Sequence, residues 1–327
     1  YYRHTDHHPG ANEIGSNYVS LPDAVYLFSP RVCMMIDAAT GKTKKEFTLP
    51  SREGGRPARW GSVRVLDNLL IATTSPLKVL TDAKPRKKKK QAKESLRDVP
   101  IVKRNADYAS ASEALTVMDR FSGSVLWTRT ARYSFRHNAV AAAGNRIFCI
   151  DAISEKKMSF LKRRGYTISA KPVLYALDAR TGRELWKADS NIFGTWLGYS
   201  EEHDLLLQAG SRARDRARDE AGKGMTVYRG IDGSVLWRSS RKYSGPCLLH
   251  HETIITQRNA FSLLTGKPIR RTNPVTGRPM PWTFKRMYGC NTVIGSENML
   301  TFRSAAAGFF GLGNMGGTGN LGGFKSG

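Results

Sequence analysis

Nine residues of this chain combine a reactive or recognising side chain with a shared placement. Arg136-His137-Asn138, Phe193-Gly194-Thr195-Trp196, Ser244-Gly245-Pro246-Cys247 and Tyr288-Gly289-Cys290-Asn291 each stand just before an apolar run. If those runs are equivalent strands arranged radially, the residues entering them converge on one mouth, where ligands bind. The candidate ligand set is His137, Asn138, Trp196, Cys247, His250, Gln257, Cys290, Asn291 and Arg303. Its chemistry is hydrogen bonding from imidazole, amide and indole, with Arg303 able to take an anion or carboxylate through two parallel bonds. Cys247 and Cys290 are placed to approach each other there, although buried free thiols are the default state of such cysteines. No catalytic residue is assigned.

Metal and nucleotide chemistry have weaker support. His4, His7 and His8 with Asp6 form a dense group of potential ligands, and imidazole plus carboxylate suits zinc. A terminal segment chelates without being a built site, so no metal site is assigned. The run Gly308 to Gly327 offers phosphate-loop glycines, but without the order G-x-x-x-x-G-K-[ST] or a strand-then-helix context, and reads as loops or tight strand ends. The four cysteines, Cys33, Cys149, Cys247 and Cys290, are far apart with no CxxC spacing, which excludes a zinc ribbon and a disulfide-dense scaffold.

The chain has 327 residues, 40% of them apolar and 24% charged, a globular composition that excludes disorder and collagen. No stretch approaches the ~18 uninterrupted apolar residues of a membrane helix. The net charge of +25 predicts attraction to polyanions. Basic runs at Lys84 to Lys93, Lys162 to Arg164, Arg212 to Arg218 and Arg270-Arg271 are expected in solvated loops that offer a polyanion contact. The largest of these insertions lies at about 81–108. The N-terminus, Tyr-Tyr-Arg-His, has neither Met nor a signal-peptide pattern and reads as that of a mature form or fragment.

An internal repeat supplies the elements that position the candidate residues. Leu115 to Trp127 (LTVMDRFSGSVLW), Leu174 to Trp186 (LYALDARTGRELW), Met225 to Trp237 (MTVYRGIDGSVLW) and Val32 to Phe47 align, with a weaker copy at Ala260 to Pro268. In the two cleanest copies Asp is followed by Ser or Thr at +3, Gly at +4 and Trp at +8. A strand ends at the Asp, whose carboxylate accepts turn amides. The Gly then supplies positive φ, and a second strand carries the Trp outward. Trp127, Trp186 and Trp237 read as wedges docking neighbouring sheets, with the indole N–H bonded across the seam. In the fourth copy Arg229 stands at the Asp position, and Asp232 is expected to take over the turn. Asp67-Asn68 and Gly144-Asn145 mark hairpins between further apolar runs. The expectation is an all-β chain, a single domain over residues 1–327. It is a β-propeller of four-stranded antiparallel blades, six to eight in number and expected to be incomplete in this chain, with a Gly-rich segment at 308–327.

The signature A-L-D-x-x-T-G-x-x-L-W at Ala176 to Trp186 resembles the repeat of quinoprotein (PQQ-type) β-propellers, which include PQQ-dependent alcohol dehydrogenases and the outer-membrane assembly lipoprotein propeller. Phe193 to Gly210, Tyr243 to Gln257 and Tyr288 to Ser304 are similar to a bacterial group described as PQQ-binding-like repeat proteins, some of them fused to a methyltransferase domain. That group continues past Thr318 to Gly327 into a further strand region, which implies a C-terminally truncated chain. The resemblance implies a periplasmic or otherwise extracytoplasmic binding or scaffold propeller, with a protein or small-molecule partner and no assigned cofactor. The alternative is a divergent oxidoreductase using PQQ and Ca²⁺ on alcohols or sugars. The chain lacks the vicinal Cys-Cys pair common in those dehydrogenases, which weighs against an enzyme.

Overall fold

Strands buried on both faces alternate here with strands buried on one, the pattern of sheets stacked face to face. The computed structural model describes residues 18–51, 55, 58–76, 111–153, 163, 171–210, 223–243, 247–256, 259–273, 275–282, 294–296, 299–303, 307–311 and 318–321. All named elements are strands. The basic insertion at 81–108, Lys162 and Arg164, Arg212 to Arg218 and the His4 to His8 cluster lie outside the described residues.

The chain divides into two compact units, meeting in sequence at Ile192 and Phe193. In the first unit, β1 (Tyr18–Ser20), β2 (Ala24–Phe28), β3 (Val32–Asp37) and β4 (Thr43–Thr48) form one four-stranded antiparallel blade. A seven-stranded sheet follows: β5 (Trp60–Leu66), β6 (Leu69–Pro76), β7 (Ala111–Asp119), β8 (Val125–Ala143), β9 (Arg146–Asp151), β10 (Val173–Asp178) and β11 (Glu184–Ala188). It is two blades sharing β8. The first part of β8 pairs with β7, its register shifts between Phe135 and Val140, and its last part pairs with β9.

The second unit contains a blade of β12 (Trp196–Ser200), β13 (Leu205–Ala209), β14 (Lys223–Arg229) and β15 (Val235–Lys242). A smaller sheet of β16 (Leu248–His250), β17 (Thr253–Ile255) and β18 (Ala260–Ser262) is extended by a bridge from Phe261 to Pro268. The hairpin β19 (Arg270–Thr272) and β20 (Pro279–Pro281) precedes a four-stranded sheet of β21 (Ile294–Ser296), β22 (Met299–Arg303), β23 (Ala307–Gly311) and β24 (Thr318–Leu321). The last two strands lie in the Gly-rich segment.

Alternate residues of one strand enter different cores, which is the direct sign of stacking. On β6, Leu70 and Ala72 join Tyr26, Phe47, Trp60 and Met118, whereas Leu69 and Ile71 join Val117, Val140, Ile147 and Leu177. A strand side chain points to opposite faces at successive positions, so each middle strand serves two seams. Fully burying one such Leu or Ile contributes roughly 1.5–3 kcal/mol.

The repeat turns close as their residues dictate. The Asp178 carboxylate accepts bonds from the backbone N–H of Arg180 (3.1 Å) and Thr181 (2.8 Å) and from the Thr181 hydroxyl (2.7 Å), while Gly182 N–H donates to Asp178 O at 2.9 Å. Asp37 and Asp119 repeat the arrangement with Thr40 and Ser122. In the fourth copy Asp232 accepts from Ser234 N–H at 2.8 Å, holding the later half of the turn. A sixth copy, not recognised in the sequence, sits between β19 and β20: Asn273 accepts from Val275 and Thr276, and Gly277 has φ of 66°.

Three of these turns, those at Gly123, Gly182 and Gly266, are covered by an aromatic ring from another blade of the same unit. A Cβ on Gly182 (φ 71°) would stand 2.6 Å from the Trp127 ring, and one on Gly266 (φ 66°) 2.9 Å from the Trp237 ring. The indole N–H groups donate to the carbonyls three residues before those glycines, Trp127 to Ala179 at 3.0 Å and Trp237 to Leu263 at 2.6 Å. Phe47 takes the same place over Gly123, at 3.4 Å from a Cβ there. Phe has no N–H, and the Lys45 ammonium supplies the donors instead, at 2.5 Å to Phe121 O and 2.7 Å to Ser122 O. Trp186, the third predicted wedge, lies 5.8 Å from the Phe148 ring of its own blade.

Two outcomes follow. Gly41 has φ of 69° but nothing within 4 Å of a Cβ. Gly41→Ala therefore costs about 1 kcal/mol of left-handed strain, and Gly182→Ala about 1–3 kcal/mol more from overpacking against the indole, measured by chemical denaturation. The turn hydrogen bonds hold Asp37, Asp119 and Asp178 below the usual carboxylate range: for Asp37 the Lys44 ammonium leads, for Asp119 the Ser122 amide, for Asp178 the Thr181 hydroxyl. Groups depressed on folding stabilise above their unfolded pKa of about 4 and lose that contribution as pH falls through the folded value. Asp178→Asn is expected to melt below the wild type at pH 7, the gap closing on acidification, in melting curves recorded against pH.

Candidate functional site

Trp127 and Trp237 are engaged in docking, and the candidate groups stand at or near the first strand of each blade. His137 and Asn138 lie on β8 in the first unit, at the point where that strand changes blades. Trp196, Cys247 and His250 lie in the second unit. Gln257, Cys290 and Asn291 lie outside the described residues, and Arg303 is described by its backbone, which pairs with Ala307.

His137 is fully buried within a polar network built from β5, β6, β7 and β8. Its Nε2 lies 2.7 Å from Ser112 Oγ. Ser62 Oγ and Thr73 Oγ1, on paired strands, are 2.8 Å apart. Arg64 donates through one η nitrogen to Ser62 Oγ at 3.3 Å and through the other to the His137 carbonyl. Gly61 is the bulged residue that shifts the β5–β6 register, and a Cβ there would stand 2.2 Å from Ser112 Oγ, 2.8 Å from His137 Nε2 and 2.9 Å from Thr73 Oγ1. Only a glycine lets the three polar groups close over β5, and the bulge sets their register.

A serine hydroxyl bonded to an imidazole is the pairing of an activated nucleophile. Here both side chains are wholly enclosed, and no substrate reaches the oxygen. The pair satisfies two polar groups inside the seam between blades, as burial requires. Nearby, the buried Asp151 accepts from the backbone N–H of Tyr133 (2.8 Å), Ser134 (3.0 Å) and Arg132 (2.5 Å), latching the bend of β8 to the end of β9. Gln208 does the same in the second unit: its Oε1 accepts from Phe193 and Gly194, and its Nε2 donates to Tyr228 Oη.

The Arg64 guanidinium is the chemically open member of the network. Burial brings its pKa down to about 10, so it remains a cation at neutral pH. Sequence reasoning missed Ser62, Arg64, Thr73 and Ser112; the alternation of polar residues at Ser62 and Arg64 within an apolar strand was the available signal.

The remaining candidates are packed. Trp196 lies along Gly198 of its own strand, beside Leu249 of β16. Cys247 is buried, with its Sγ 3.9 Å from Gly210 O. The His250 ring meets that of His251 edge-on at 4.7 Å. Cys33, Cys149 and Cys247 are free thiols; burial pushes Cys33 up to about 12 and raises the other two. Among the described residues no group of three or more His, Cys, Asp or Glu is arranged to hold a metal ion, and no helix is long and apolar enough to cross a membrane.

No protein-family model and no curated protein sequence matches the chain. Among solved structures, BamB from Moraxella catarrhalis is similar at 11% identity, over 91% of this chain and 71% of that one, with a TM-score of 0.50. A europium-containing methanol dehydrogenase aligns at 10% identity over 90% of this chain and 62% of that one, TM-score 0.49. Quinohemoprotein alcohol dehydrogenase ADHIIG from Pseudomonas putida HK5 aligns at 12% identity over 92% and 54%, TM-score 0.44. Similarity at such identity shows fold and not activity. Together with the four-stranded antiparallel sheets and their aromatic-covered turns, it shows that the chain has a PQQ-like β-propeller fold.

Proposed function

We propose that this propeller is a non-catalytic, extracytoplasmic binding or scaffold module. The observation that carries the reading is the engagement of the repeat aromatics. Phe47, Trp127 and Trp237 lie against glycine turns, and both indole N–H groups are bonded to backbone carbonyls, so these rings hold blades together and are not open platforms for a planar ligand. The thiols support the same reading, since Cys33, Cys149 and Cys247 are buried and held protonated. The extracytoplasmic setting rests on the sequence resemblance. The +25 charge adds a polyanionic partner to the binding reading, contacted through the basic loops.

The described residues provide no clustered donor set for a quinone-bound cation, and no catalytic step is derived through one. The discriminating experiment is reconstitution of the purified chain with PQQ and Ca²⁺, followed by alcohol or aldose oxidation with an artificial electron acceptor. The scaffold reading expects no turnover above the protein-free control. Turnover that depends on added PQQ would establish the oxidoreductase in its place.

A further inference from the structure

Two other arginines of the first unit are paired with acids. Arg120 reaches Asp23 at 3.0 Å, and Arg129 reaches Glu184 at 3.1 Å. Arg64 differs. Its bonds go to a hydroxyl and a carbonyl, both neutral, and no acidic side chain pairs with it among the described residues. Two of the five N–H donors of a guanidinium are thereby engaged, and the charge has no acidic counter-ion among the described residues.

The neighbouring polar side chains form a buried floor beside Arg64. Ser62, Thr73, Ser112 and His137 are buried, whereas Arg64 itself is only half-buried and keeps contact with solvent. A cation taken part of the way out of water without a compensating charge is costly unless an anion joins it. The fork of an arginine matches a planar carboxylate with two parallel bonds, a fit that a lysine ammonium does not reproduce. The chain's overall positive charge raises the local concentration of small anions.

We propose that Arg64 is the anchor of a binding site for the carboxylate of a small organic acid. The inference rests on the binding-module reading and gives that module a ligand class. The ligand stands at the half-buried guanidinium, over the polar floor of β5, β6, β7 and β8. Ser112 and His137 hold the floor in place beneath it. The role of Arg64 as a tie to the His137 carbonyl is retained in the bound state, since the fork offers donors for both.

The test is titration of the whole chain with sodium oxalate at ionic strength held constant with NaCl, followed by isothermal calorimetry. The expected result is saturable binding at one site in the wild type. Arg238→Gln, which removes an exposed charge on β15, leaves the affinity unchanged. Arg64→Gln weakens it at least tenfold, and Arg64→Lys falls between the two. Oxalate binding that is unaltered in Arg64→Gln, or absent from the wild type, overturns the proposal. Should Arg64→Gln not fold, the ¹⁵N resonances of the Arg64 guanidinium in the wild type give the readout: a shift with oxalate but not with chloride supports the site, and an unmoved signal overturns it. PQQ-dependent turnover bears on the scaffold reading alone, so the failure of one is not mistaken for failure of the other.

Discussion

An indole laid on a left-handed glycine is the interaction on which the rest of this molecule depends. A blade of four short strands cannot bury both faces alone, and it gains stability only when its neighbour is fixed against it. The turn between its outer strands needs positive φ, hence glycine, and a bare glycine leaves a flat patch of backbone. The neighbour's tryptophan fills that patch and donates its N–H to the carbonyl three residues earlier, as Trp127 does over Gly182 and Trp237 over Gly266. One residue type thus answers two needs, local geometry and the seam. Where Phe47 replaces tryptophan, Lys45 donates to two other carbonyls of the same turn, those of Phe121 and Ser122.

From this constraint the placement of polar residues follows. The outer strands carry the docking rings and the exposed charges, and the middle strands are apolar on both faces because each serves two cores. Several buried polar side chains sit at strand ends and bulges, although Thr116 lies mid-strand on β7. Asp151 and Gln208 latch the entering strand in that way, in different units and with different chemistry. The network around Gly61 belongs to the same class, except that it contains a cation with no acid paired to it among the described residues.

Much of the fold was legible because the repeat is local. The Asp, Gly and Trp of the two cleanest copies lie within nine residues, and the hairpins at Asp67-Asn68 and Gly144-Asn145 have the positive φ their types suggest, 48° at Asp67 and 55° at Gly144. The copy at Asn273 to Gly277 was not seen, since Asn stands in for Asp and the following Trp282 is buried at a different offset. The candidate site was legible only at His137. Its partners are remote in sequence, Ser112 by 25 positions and Arg64 by 73, and they meet because a bulge at Gly61 shifts the register by one residue. No periodicity reports a bulge of that kind. The hydrogen-bonding capacity of Trp196 and Cys247 was readable from residue type, but their enclosure depends on Gly198, Leu249 and the Gly210 carbonyl, which the apolar pattern does not identify.

Hydrogen exchange at the indole N–H groups, resolved by ¹⁵N NMR, tests the docking interaction most directly. If these side chains pin the blades, the Trp127 and Trp237 indole protons exchange only through opening of their unit, at rates that track the core amides of β7 and β14 and fall together with them as denaturant is removed. Rapid exchange of both indoles from a folded protein whose core amides remain protected would contradict the account.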